Sequence, residues 1–421
     1  MKSTPHLSIV SSGAKENRLP LRVAFVIQRY GLEVNGGAEL LCRRIAEHLA
    51  KYYKVEVLTT QALDYLTWKN HYPRGRALVN QIPVRRFPVR KERYPNKFGQ
   101  IQEYVFNHPH LEKDELRWLK EEGPYSPALI REVKRKREEF DYFIFFSYRY
   151  YHSYYGINAV PEKSILVPTA EHDQAIYLSI FRSSFTQPLA IVYSSVEEKG
   201  LINQISHNED VPSDIVGVGI ELPPETDATS FRQKFNIPGR FILYIGRIDE
   251  NKGCPQLFRY FLRFLDNTKE EELQLLLIGS SVIEIPEHPQ IRHLGYLSEQ
   301  DKFDALAAAE LLMMPSLYES LSIVLLEAWA IGKPALANGK CDVLRGQCLR
   351  SNAGLFYTSY EEFQMALELL LKNPSISKAL GKNGRKFYQQ NYSWDIIEKK
   401  YTNLINQLEI RRRAEAPKPK A

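Results

Sequence analysis

Glu319 and Glu327 stand eight residues apart in the segment PSLYESLSIVLLEAWAIGKP, Pro315–Pro334. A short apolar run, Leu311–Met314, leads into it, and a helical pattern starts near Ser320–Ser322. Glu319 is thus expected at the helix entrance and Glu327 deeper inside. The first turn of a helix leaves backbone N–H groups unpaired at the positive end of the helix dipole. The amides of Ser320, Leu321, Ser322 and Ile323 therefore suit an anion such as a diphosphate. Carboxylates in the same place suit hydroxyl-rich ligands such as sugars, whose O–H groups they bind strongly. The plain alternative is a helix-start acid followed by a solvated one, although Leu325, Leu326, Ala328 and Trp329 surround Glu327 with apolar neighbours.

A second set of charges follows an apolar strand in YIGRIDENKG, Tyr244–Gly253. Arg247 and Lys252 flank a strand–helix junction, where a guanidinium fork and an ammonium point charge would hold a phosphate. Read alone, the segment is better taken as a surface turn with an incidental Arg and Lys. Together, the two segments offer what a nucleotide sugar requires: cations and open amides for its diphosphate, acids for its ribose and sugar. In the first half, RYGLEVNGGAE places Gly36 and Gly37 after the first strand, where they allow close backbone approach and open a helix. A full GxGxxG is absent, so no dinucleotide fingerprint is read. In VPTAEHDQ, Val167–Gln174, His172 follows another strand and is expected to face a crevice, against the alternative of a structural or solvated histidine.

These segments need elements that hold them at strand ends. Apolar runs with strand character fall at Leu21–Arg29, Val55–Thr60, Val84–Val89, Tyr142–Phe146, Ser164–Pro168 and Ala190–Ser194. Helical patterns alternate with them, as in a parallel α/β sheet. A second series opens with Ile215–Ile220 and continues through Phe241–Gly246, Leu273–Ile278, Ile291–Leu294, Leu311–Met314, Pro334–Ala337 and Gly354–Tyr357. Residues 1–20 read as a loose lead-in, and Trp394–Arg413 as a long helix with a basic end. The expected organisation is 1–213, 214–392 and a tail at 393–421. Ligands of such sheets bind beyond the carboxyl ends of the strands.

The 421 residues include 56 basic and 50 acidic side chains, a net +6 too mild to mark a nucleic-acid binder. Cys42, Cys254, Cys341 and Cys348 lack zinc-site spacing, and a reducing, cytoplasmic setting is expected. No DxD metal motif follows a strand, so no metal and no cofactor beyond a nucleotide-sugar co-substrate is expected. The stretches Arg131–Arg137 and Arg85–Lys97, with Phe87, Tyr94 and Phe98 interleaved, suggest either peripheral contact with an anionic membrane at its inner face or solvated basic faces. The run Tyr148–Tyr155 suits an acceptor groove or packing equally.

Taken together the motifs resemble the GT-B glycosyltransferases, specifically family 4, the large retaining group. Glu319 and Glu327 match its E-x7-E motif; Gly246, Arg247, Lys252 and Gly253 match its strand–GR–x4–KG element; Gly36 and Gly37 match its first-strand turn. The resemblance is strongest over Phe241–Tyr357. It implies two Rossmann-like doubly wound domains facing a central cleft, an N-terminal acceptor domain, a C-terminal donor domain, and a C-terminal helix crossing back to the first. It also implies roles: Glu327 on the donor ribose, Glu319 on the transferred sugar, Arg247 and Lys252 on the leaving diphosphate, amides around Leu321–Ile323 as its cradle, and His172 beside the donor sugar. In this chain Glu171 interrupts the usual run before His-Asp. The implied function is hexosyl transfer from a UDP- or GDP-sugar to a glycan or lipid-linked acceptor, in surface polysaccharide or glycolipid synthesis, with retention and without metal. The alternatives are a nucleotide-sugar epimerase of the same architecture and a non-catalytic nucleotide-sugar-binding subunit.

Overall fold

The structure is a computed structural model that describes residues 20–34 and 36–415. All but Pro20 of the expected lead-in, and residues 416–421, lie outside the described residues. The first sheet contains β1 (Arg22–Val26), β2 (Lys54–Thr60), β3 (Gly75–Val79), β4 (Ile82–Phe87), β5 (Tyr142–Phe146), β6 (Ser164–Val167), β7 (Ala190–Tyr193) and β8 (Ser213–Ile215). Their order is β3-β4-β2-β1-β5-β6-β7-β8, parallel except for β3. The second holds β9 (Phe241–Ile245), β10 (Gln274–Ile278), β11 (Ile291–His293), β12 (Leu312–Met314), β13 (Ala335–Asn338) and β14 (Gly354–Tyr357), all parallel in the order β11-β10-β9-β12-β13-β14. Central strands such as YFIFF of β5 and FILYI of β9 are buried along their whole length, as helices on both faces require.

Two strands depart from the expected series. β3 has no counterpart in it. It is a half-exposed edge strand whose hairpin with β4 turns through Asn80 and Gln81 at φ 46° and 65°, without the glycine that usually advertises such a turn. The segment expected as Ile215–Ile220 does not open the second sheet. Ser213–Ile215 pairs with β7 at the edge of the first. Residues 216–220 then run as a connection, with Gly217 at φ 75° and Gly219 pressed against the Trp394 ring, where a Cβ would lie 2.4 Å from it.

The helix Trp394–Glu415 crosses back onto the first sheet. Its Glu398 takes hydrogen bonds from Lys51 Nζ at 2.7 Å and Tyr52 Oη at 2.7 Å, and its Glu409 accepts from Tyr142 Oη at 2.7 Å. One apolar core accordingly runs from Val23 and Phe25 through Leu243 and Trp329 to Tyr401 and Ile405.

Part of the basic stretches is paired within the fold. Arg85 pairs with Glu56 and Glu132, Arg86 donates to the carbonyl of buried Tyr30, and Arg93 pairs with Glu122 at 2.8 Å. Arg135 meets Glu132, Lys136 meets Glu139, and Arg137 meets Glu162. Phe87 is buried, whereas Tyr94 is exposed. Arg90, Lys97, Arg131 and Lys134 of the same stretches stay exposed. No helix among the described residues is long and apolar enough to cross a membrane.

Candidate active site

Strand order locates the site. In the first sheet β1 leads to β2 on one side and has β5 on the other; in the second β9 is flanked by β10 and β12. These are the topological switch points where loops diverge and leave a crevice. The segments after β1 and β5 are Gln28–Gly37 and Ser147–Tyr150; those after β9 and β12 are Gly246–Gly253 and Pro315–Ser322. A cavity of about 350 Å³ opens between the sheets, lined from the first by Gly36, Gly37, Ser147, Tyr148, Arg149 and Glu171 among others, and from the second by Arg247.

In the second unit, backbone contacts bind the two charged segments together. Gly253, at φ 71°, opens the helix Cys254–Thr268 and lies so close to Pro315 that a Cβ would fall 2.1 Å from the Pro315 carbonyl oxygen. The Leu317 amide donates to the Asn251 carbonyl at 3.2 Å, and Asn338 Nδ2 to Pro315 O at 3.0 Å. Across this seam Lys252 Nζ donates to Glu319 Oε1 at 2.8 Å. Asp249 receives the Lys252 amide at 2.7 Å and also pairs with Arg247, so a single carboxylate orders both cations. Burial pulls the Lys252 ammonium down, but Glu319 and Glu171 outweigh it and its pKa lies above the ordinary value. Lys252 thus stays charged at neutral pH. Ser322 caps the helix Ile323–Ala330, its hydroxyl accepting from the Leu325 amide at 3.3 Å. The amides of Ile323 and Val324 find no acceptor among the described residues. Ser320 and Leu321 complete the loop between Glu319 and that cap.

Glu327 lies elsewhere. It is 1% exposed and bound by Lys302 at 2.8 Å, while its second oxygen is buried with no partner. Burial raises its pKa against the pull of Lys302. Lys302 also meets Glu299 at 3.0 Å, and Glu299 meets Arg44 of the first unit at 3.6 Å, a chain of charges crossing between the units. The structure brings Lys252, Glu319 and Arg247 to the interface of the sheets; Glu327 is buried against Lys302, with one oxygen lacking a partner among the described residues.

In the first unit, Gly36 and Gly37 line the cavity at the start of the helix Gly37–Leu49. A side chain at Gly36 would strike Glu39, which is locked by Arg29 at 2.8 Å. His172 is exposed; its ring bonds Tyr177 Oη at 2.5 Å and faces a smaller neighbouring cleft that also contains Glu319. Its neighbour Glu171 takes the wall of the larger cavity. Tyr148 and Tyr150 line that cavity, while Tyr151, Tyr154 and Tyr155 pack into the unit, so the tyrosine run divides between the two expected uses.

Sequence reasoning missed the groups that hold this wall. Arg149 is gripped by Glu122 at 2.6 Å and by Asp173. Buried Glu198 accepts from the amide of Ala170 at 2.5 Å and of Ser194. Desolvation raises the Glu198 carboxyl to about 7 although both amides pull it down. Their partners lie far apart in the chain and carry no local pattern. The positive-φ residues Ser147 (65°) and Thr169 (48°), whose hydroxyls meet at 2.9 Å, mark the ends of β5 and β6 as strained. Such strain gathers at functional sites.

Residues 226–387 match the family described as glycosyl transferases group 1. That segment carries both charged loops and the Lys252–Glu319 contact. The match falls within the second unit. The chain is 25% identical over 197 residues to a GDP-mannose-dependent monoacylated alpha-(1-6)-phosphatidylinositol monomannoside mannosyltransferase of Corynebacterium glutamicum, covering 44% of this chain and 51% of that one. It is 23% identical over 201 residues to the mannosylfructose-phosphate synthase of Agrobacterium fabrum, covering 43% and 44%. The matches thus span about half the length of these relatives. Among solved structures, sucrose-phosphate synthase from Thermosynechococcus elongatus superposes with TM-score 0.68 at 16% identity, over 93% of this chain and 100% of that one. Anabaena HepE in complex with UDP-glucose does so with TM-score 0.67 at 13% identity, over 92% and 100%. These likenesses establish the GT-B fold.

Proposed function

We propose that this glycosyltransferase moves a hexosyl group from a nucleoside-diphosphate sugar to a glycan or lipid-linked acceptor, with the anomeric configuration retained and without a metal. The second unit takes the donor and the loops of the first unit take the acceptor. The observation that carries this reading is the Lys252–Glu319 contact, which ties a phosphate-type cation to a hydroxyl-binding acid at a switch-point crevice. The relatives support it, since one is named for GDP-mannose and a structural neighbour was solved with UDP-glucose.

The chemistry follows from charge. As the bond between the anomeric carbon and the phosphate oxygen breaks, its electron pair leaves with the diphosphate, and the sugar gains positive character. Arg247, Lys252 and the amides of Ile323 and Val324 meet the growing negative charge. One such preorganised donor contributes about 3–4 kcal/mol in other enzymes. The departing phosphate then accepts the proton of the acceptor hydroxyl attacking from the same face. Glu327, whose second oxygen is buried without a protein partner, is assigned to the ribose. The named relatives assemble glycolipids and sugar phosphates, which supports a role in surface polysaccharide or glycolipid synthesis.

A thermal-shift panel of nucleoside diphosphates tests the donor assignment. A ligand at 100 times its Kd should add about 2.7 kcal/mol of stability. UDP or GDP is expected to raise Tm well beyond ADP; no shift with any nucleotide overturns the reading.

A further inference from the structure

Three carboxylates line the larger cavity. Arg29 binds Glu39, and Arg149 binds Asp173, but no side chain among the described residues binds the carboxylate of Glu171. The loop that carries it is nevertheless anchored on both sides. Glu198 holds the Ala170 amide at 2.5 Å, and Asp173 is tied to Arg149. An unpaired carboxylate on a fixed loop, partly withdrawn from water, is a group held ready for a ligand.

The surroundings define that ligand. Across the cleft Glu171 feels the ammonium of Lys252 and the carboxylate of Glu319; on its own side it feels Asp173 and Arg149. Two more acids nearby make this a poor place for a phosphate. Neutral hydroxyls, which donate to carboxylates, suit it well. Glu171 shares the larger cavity with Arg247 of the second unit and lies within electrostatic reach of Lys252 and Glu319, while Glu319 itself lines the neighbouring cleft that His172 faces. We propose that Glu171 is the first-unit residue that binds the transferred sugar, accepting hydrogen bonds from its hydroxyls while Glu319 accepts from the second unit. This assignment rests on the nucleotide-sugar reading above, and it replaces His172 in that position.

Burial pushes the Glu171 carboxyl up to about 7; Lys252 and Arg149 oppose the shift, and Glu319 and Asp173 add to it. Its ionised form, the stronger acceptor, therefore accumulates as pH rises through neutrality. Sugar binding through Glu171 should strengthen over the same range.

The test measures binding of UDP-glucose, GDP-mannose, UDP and GDP to the parent protein, Glu171→Gln and His172→Gln by calorimetry. Glu171→Gln should weaken whichever nucleotide sugar the parent binds by roughly tenfold or more, the usual loss for a hydrogen bond to a charged group. Its affinity for the bare nucleotide should be unchanged, which also establishes that the variant is folded. The parent-to-variant affinity ratio for the nucleotide sugar should grow as pH rises through about 7. A Glu171→Gln protein that binds nucleotide sugar like the parent, or that loses nucleotide and nucleotide sugar alike, overturns the assignment while leaving the donor reading standing. So does a loss confined to His172→Gln. If the parent binds neither nucleotide sugars nor nucleotides, the donor reading falls and takes this assignment with it.

Discussion

Lys252 illustrates how one side chain serves both charge and geometry. Its ammonium is mostly shielded, pairs with Glu319 at 2.8 Å, and hangs from a loop whose amide is pinned by Asp249. Replacing it by alanine removes a donor aimed at the leaving diphosphate and leaves Glu319 without its cation. Lys252→Ala is expected to lower kcat/KM for the donor by about 10²–10³-fold, as loss of one preorganised donor does elsewhere. Steady-state kinetics on the purified variant measure this, and a parent-like kcat/KM would remove Lys252 from the mechanism. At the same scale, local pattern showed that something chemical follows β6 but not which side chain it is. The chain bends there, the Asp173 amide donating to the Glu171 carbonyl at 2.8 Å, and Glu171 and His172 face different clefts. Both clefts border the second unit, and the loop is held by the Ala170 amide on Glu198, a contact made 28 residues along the chain.

Among the elements, the helix Cys254–Thr268 places Lys252 through its first residues. Gly253 adopts φ 71° and touches the Pro315 carbonyl, so it serves both the left-handed turn and the seam between the two charged loops. Gly253→Ala adds about 1–2 kcal/mol for the left-handed conformation alone. It also drives a methyl group into the Pro315 peptide. Urea unfolding should therefore show a loss exceeding that figure, and activity should fall further than stability because Lys252 and Glu319 are pushed apart. An alanine variant as stable and active as the parent would show that the seam has room. The two loops are separated by sixty residues of chain; their glycine, lysine and acid signals were legible, but the contact between them was not.

On the scale of the molecule, the terminal helix closes the two units onto each other. His48 of the first unit stacks on Trp394 with ring centroids 3.5 Å apart, and Glu398 gathers His48, Lys51 and Tyr52. Burial alone would raise the Glu398 carboxyl, yet those three donors hold it at about 2, below its ordinary 4.5. A carboxyl whose pKa is depressed by folding stabilises the folded state fully above the unfolded value, and the contribution fades as pH falls towards the folded one. Glu398→Ala should therefore cost about 2–3 kcal/mol at neutral pH, the range for hydrogen bonds to a charged group. The difference from the parent should shrink between pH 4.5 and 2. Denaturant titrations of both proteins across that range measure it, and a pH-independent difference would show that the clasp does not depend on the Glu398 charge.

Local chemistry was enough to announce two parallel α/β units, since fully apolar strands such as Tyr142–Phe146 and Phe241–Ile245 need cover on both faces wherever they lie. It was also enough to mark Arg247, Lys252, Glu319 and Glu327, because strand ends and helix starts are written within a few residues. Folding alone decided which of these groups meet. It joined Lys252 to Glu319, sent Glu327 to Lys302, turned Glu171 rather than His172 into the larger cavity, and paired Arg85 and Arg93 of the basic stretches with Glu56, Glu132 and Glu122. The pairings among these outcomes join residues distant in sequence, because a packed interior tolerates an unpaired charge poorly.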